Sequence, residues 1–179
     1  FGLQGLNGSA LSGGGPGTVY GQNYLVLWRI MPVQACQVDG FQLQVQVDGG
    51  SGGLARVGIY AQDSTTVPTG APLVDSGDIN VNVSAGTVVT GTFSAASLSA
   101  WTPYWAAFVT NSKTLSVRWL ATGTTAMQRA ATLDVGASGG ITHTLRRVSH
   151  TFGALPSSPS TSFTNAYSEI PGVMWRVQV

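Results

Sequence analysis

Phe41-Gln42-Leu43-Gln44-Val45-Gln46-Val47 is the stretch that decides the fold. Apolar residues occupy every second position and glutamines fill the gaps. A period of two places the apolar set on one face of a β-strand and the amides on the other. A helix would scatter the same residues around its axis. The outward face is polar without being charged.

Reading outward, Asp48 to Gly53 forms a flexible turn into Leu54–Ala61, where Val57 and Ile59 share a face. Upstream, Tyr24 to Met31 is a mostly apolar run stopped by Pro32, as expected of a core strand. Further strands are predicted at Ile79–Val83, Thr87–Phe93, Tyr104–Thr110, Leu115–Trp119, Ile141–Val148 and Val173–Val179. The connections are predicted to be a loop over Asp63–Pro72, a small-residue link with room for one helical turn over Ala95–Thr102, and a loop over 153–166. Ala126–Ala131 fits either a strand or a short helix. About nine short strands at regular spacing, with Gly, Pro and Ser between them, predict an all-β fold. Its expected form is an antiparallel, jelly-roll-like β-sandwich over 23–179. Residues 1–22 are Gly/Ser-rich and read as an extended N-terminal arm, because Phe1, Leu3 and Leu6 would be wasted in a pure spacer. Phe1 in place of an initiator Met leads us to expect a piece of a longer polypeptide.

The 179 residues are 43% hydrophobic with five Trp, ample apolar area to offset chain entropy, which excludes a disordered chain. Only 8% are charged, against about 25% in an ordinary domain. A formal charge of +1 is too small for binding that depends on neutralising many phosphates. Lys113 and Glu169 are the sole residues of their types, too few to decorate a helical bundle. So neutral a surface is poorly protected against association, and an assembled setting is expected.

The order of three segments carries a resemblance. They are Leu54-Ala55-Arg56-Val57-Gly58-Ile59-Tyr60-Ala61, Thr69-Gly70-Ala71-Pro72-Leu73-Val74-Asp75-Ser76-Gly77, and Thr102-Pro103-Tyr104-Trp105-Ala106-Ala107-Phe108. Over roughly residues 38 to 120 this resembles β-sandwich modules of tailed-bacteriophage virion proteins, especially distal tail-fibre and spike domains. The resemblance implies a homotrimeric virion component on the particle surface that contacts other virion proteins and host-surface glycan. It implies no catalytic residue. Two alternatives stand beside it: a capsid decoration or cement protein, and a carbohydrate-binding module of a secreted protein.

Side-chain chemistry points to binding and not to catalysis. Asp75 and Asp78 are close, but they sit at a turn, where Asp bonds backbone, and no other acidic pair suggests a glycosidase or calcium loop. His143 and His150 fall on opposite strand faces and lack further ligands, so no metal or cofactor is expected. Cys36 is the single cysteine, which excludes an intrachain disulfide and reads as a small buried hydrophobe. No nucleophile elbow is present, and Gly13–Gly17 lacks the Lys of a phosphate loop. No apolar run is long enough to insert in a membrane.

Arg146 and Arg147, with His150, form the one basic cluster. It reads either as a solvated or subunit-facing patch or as a site for an acidic glycan. Trp28, Trp105, Trp119 and Trp175 lie on strands and read as core. Trp101 lies in a connection, where its ring either packs under a loop or stacks on a sugar. Tyr167 with Asn165 forms the next candidate of that kind.

Overall fold

The computed structural model describes residues 22–64, 67–121, 146–160, 162–165 and 169–178. Residues 1–21 of the expected 1–22 arm, Ala126–Ala131, and 141–145 of the expected Ile141–Val148 strand, His143 included, lie outside these residues. The described residues contain no helix and build strands β1 (Tyr24–Ile30), β2 (Cys36–Val47), β3 (Leu54–Gln62), β4 (Pro68–Asp75), β5 (Ile79–Asn80), β6 (Val88–Leu98) and β7 (Tyr104–Thr110). The remaining strands are β8 (Ser116–Val117), β9 (Trp119–Ala121), β10 (Arg146–Ser149), β11 (Thr164–Asn165), β12 (Glu169–Pro171) and β13 (Val173–Gln178).

Two antiparallel sheets pack as a sandwich. The first runs β11–β10–β1–β7–β3–β4, with β5 also on β3; the second runs β13–β2–β6, with β8 also on β2. The alternation that opened the reading decides which side faces in. Phe41, Leu43 and Val45 are buried against Val26, Trp28, Val57, Ala106 and Phe108 of the opposing sheet. The same period sends Gln42, Gln44 and Gln46 outward, where Gln44 accepts a 3.0 Å bond from Arg118 and donates to the Gly86 carbonyl. Each inward Val, Leu or Phe removed from water contributes roughly 1.5–3 kcal/mol, and this sets the register.

Strand β7 is buried at all seven positions. Its inward residues join the sandwich core. Its outward residues Trp105, Ala107 and Val109 form a second cluster with Leu25, Leu27, Tyr60, Val148 and Leu155. The cover on that outer face comes from the loop segment 150–160, a strap laid across sheet one. Its anchors are specific. Asn23, in left-handed backbone at φ 61°, accepts from the amides of His150 and Phe152. The Leu155 amide donates to Asp75 Oδ2 at 3.0 Å, and Tyr60 donates its hydroxyl to the Pro156 carbonyl at 3.0 Å.

One edge of β2 is shared in tandem. Val45 and Val47 pair with β8, Arg118 donates its amide to the Gln44 carbonyl, and from Leu43 onward the partner is β13. Between these stops the chain leaves the edge as β9 and returns as β12, paired antiparallel.

Several expectations need correction. Pro68–Pro72, expected as the end of the Asp63–Pro72 loop, belongs to strand β4, an edge strand that tolerates proline, and Pro72 falls where the register with β3 is irregular. The small-residue link after Phe93 is no helical turn. After an irregularity in register, Ala96, Ser97 and Leu98 rejoin β2 opposite Val38, Gln37 and Cys36. The alternating run from Ile79 forms ladder only at Ile79–Asn80, although Val81 is still buried.

Candidate functional site

The connection between β6 and β7 is short and held from both sides. Ser99 donates its amide to the Tyr104 hydroxyl at 2.9 Å, and Thr102 Oγ1 donates to the Ala100 carbonyl. The Trp101 amide donates 2.8 Å to the carbonyl of Pro32, on the loop leaving β1. These ties hold Trp101 at φ 56°, a left-handed backbone that bulky side chains avoid. Such a residue costs of order 1–3 kcal/mol. No core contact offsets that cost, since Trp101 is 66% exposed, more than any other large hydrophobic described. Beside it, next to Pro32, Val33 is 56% exposed. Gln34, Ser99 and Thr102 are exposed around them. The result is a flat ring presented at one end of the sandwich among hydroxyl and amide groups.

The other sequence candidates lie elsewhere. Arg146 pairs with Leu27 in β1 and points to the outer face of sheet one. Its guanidinium lies between two rings, 5.0 Å from the Trp105 centroid and 4.8 Å from that of Phe163. Arg147 pairs with Val26, so alternation turns it to the opposite face, where it lies 4.3 Å over the Tyr24 ring. The two arginines are therefore not one basic patch. They are cation–π clamps on opposite sides of β10. Asn165 is the register partner of Arg146 in the β10–β11 ladder. Tyr167 lies outside the described residues. Along β1, Leu27 and Pro32 are five residues apart, roughly 16 Å of strand, so the Trp101 loop and the arginines form separate places on the molecule.

The described aspartates bond turn amides or pair with arginines. Asp75 Oδ1 accepts from the Gly77 amide, as the turn reading expected, and Arg56 spans Asp75 and Asp78 at 3.1 and 2.7 Å. The Arg56 bridge and the strap anchor on Asp75 were missed in sequence, because both join residues far apart in the chain. Asp39 is held below the usual carboxylate range, first by its hydrogen bond from Arg176 and further by that residue's charge and by Gln178. Burial pushes the Cys36 thiol up, away from thiolate chemistry. Among the described residues no three His, Cys, Asp or Glu side chains gather as metal ligands. The Trp101 loop presents the most exposed large hydrophobic side chain among the described residues.

No family model, curated protein or solved structure matches the chain.

Proposed function

We propose that this chain is a recognition domain of a tailed-phage virion, a sandwich module of a tail fibre or spike whose Trp101 loop stacks on a host-surface sugar. One observation carries the reading: a large aromatic ring is kept in water on a strained, doubly tethered backbone. Strain that is retained without a packing return points to use. An indole face matches the apolar face of a pyranose, and Gln34, Ser99 and Thr102 supply donors and acceptors for its hydroxyls. The three segments that resemble virion modules fall on β3, β4 and β7, adjacent strands of sheet one. They supply the frame from which the loop projects.

The proposed activity is binding without turnover. A shallow platform with one ring gives a weak site, and several copies on one particle would raise the effective affinity by avidity. The test is a glycan array followed by titration of the full chain, read by tryptophan fluorescence. Trp101→Asn is the informative variant, since Asn accepts left-handed backbone and the ring contributes little packing. It should melt at or above the wild-type temperature while losing sugar binding. Absence of binding to any glycan at millimolar concentration would overturn the reading, as would a Trp101→Asn variant that binds normally.

A further inference from the structure

The two sheets treat their open edges differently. Sheet one ends in β4, which carries Pro68 and Pro72, residues that block strand addition. Sheet two ends in β6, Val88-Val89-Thr90-Gly91-Thr92-Phe93-Ser94-Ala95-Ala96-Ser97-Leu98, with neither a charge nor a proline along it. The ladder settles which backbone groups face out. The Val45 amide donates to the Thr87 carbonyl and the Arg118 amide to the Gln44 carbonyl, so odd positions of β2 bond toward β6 and even ones away. The β6 partners of Leu43 and Phe41 are Val89 and Gly91. The N–H and C=O groups of Val88, Thr90 and Thr92 therefore point off the sheet. Their side chains are exposed too, Val88 at 49%. Beyond Thr92 the register breaks, and Leu98 packs toward Val74 of sheet one. Among the described residues this limits the open segment to Val88–Thr92.

We infer that this segment is a docking edge for a second copy of the same chain, paired antiparallel about a two-fold axis through Thr90. The sequence is self-complementary for that arrangement. Val88 meets Thr92 of the other copy, and Thr90 meets Thr90, so every outward amide and carbonyl finds a partner. Threonine–threonine and valine–threonine neighbours are favourable cross-strand pairs, and no like charges meet. The union would join two copies of sheet two into one continuous sheet, with the Gln42 and Gln44 faces side by side. Such a contact is isologous and closes as a dimer, unlike the head-to-tail contact of the homotrimer expected from sequence. It stands independently of the sugar reading, since Thr90 takes no part in the Trp101 loop.

The experiment uses the full chain in a Cys36→Ser background. In an antiparallel hydrogen-bonded pair the facing Cα atoms are about 5.5 Å apart, within disulfide reach. Thr90→Cys should give a covalent dimer under mild oxidation, whereas Ser51→Cys, on an exposed turn, should not. Thr90→Lys sets two ammonium groups against each other across the axis. It should sediment as monomer at concentrations where the parent chain dimerises, with the circular-dichroism spectrum of the folded parent and a melting temperature that, unlike the parent's, does not rise with protein concentration. A parent chain that stays monomeric and forms no Thr90→Cys dimer overturns the inference. So does a folded Thr90→Lys chain that assembles as the parent does. If Thr90→Lys fails to fold, the cross-linking pair decides alone.

Discussion

Single residues show where the packing has no slack. Gly58 sits on β3 beneath the strap, and a Cβ there would come within 2.2 Å of Leu155 Cδ1 and 2.5 Å of the Val74 carbonyl. The leucine end can rotate away, but the carbonyl belongs to a paired strand and cannot. Gly58→Ala should therefore cost about 1–3 kcal/mol in denaturant unfolding, and trimming Leu155 in the same chain should recover only part of it. Asp39 makes a different case. Its carboxylate takes bonds from Arg176 at 2.5 Å and Gln178 at 2.6 Å, which lower its pKa below the ordinary 3.8. The associated stabilisation is present above that ordinary value and is lost as pH falls through the folded one. Thermal melts from neutral pH downward should show this acid-side loss in the parent chain and its absence in Asp39→Asn. Neither glycine nor carboxylate was legible in this role, because each depends on a partner brought in from far along the chain.

At the level of elements, legibility follows the period. Strand β2 was readable because one of its faces is core and the other is water, and the sequence alternates accordingly. Strand β7 was readable as a buried run, although its second covered face was not. β4 and the far half of β6 were missed because edge strands carry prolines and small residues that also serve loops. The strap is a loop, as its Pro/Ser-rich sequence predicts, but its packing over the outer face of sheet one is not legible locally, since Leu155 and Phe152 meet the cluster on that face from far along the chain. Its hold comes from a few long-range bonds. Tyr60→Phe removes the hydroxyl donor to Pro156, at a cost of about 1 kcal/mol. Hydrogen exchange at the Leu155 amide should quicken in that variant, while exchange at the inward-facing strands stays slow. Asp75→Asn should quicken it further, since the same carboxylate also holds Arg56 and the Gly77 turn.

For the molecule as a whole, the low charge observed in sequence has a structural counterpart. The outer face of sheet two is built from Gln and Thr with few charges, and among the described residues no strand pairs with the outer edge of β6. Of the site candidates, Trp101 was legible as an aromatic residue in a connection. Its left-handed backbone was not, since that depends on the Pro32 carbonyl across the loop. Arg146 and Arg147 were legible as a cluster but not as opposite-facing clamps.

The tandem occupation of the β2 edge also bears on how the molecule forms. Asp39 and its partner Arg176 are 137 positions apart, so the second sheet is completed by one of the most distant encounters in the chain. Closing so large a loop is an entropic delay, and topologies dominated by remote pairings fold slowly. Sheet one can assemble β1, β7, β3 and β4 from nearer segments while β2 waits with half of one edge bare. Trp175 then becomes a clock for the last step, since its ring meets Phe93 edge-on at 6.4 Å only when β13 is in place. In a chain whose other tryptophans are replaced by Phe, the Trp175 signal should belong to the slowest refolding phase. Until that phase ends, the newly made protein exposes the bare β2 edge.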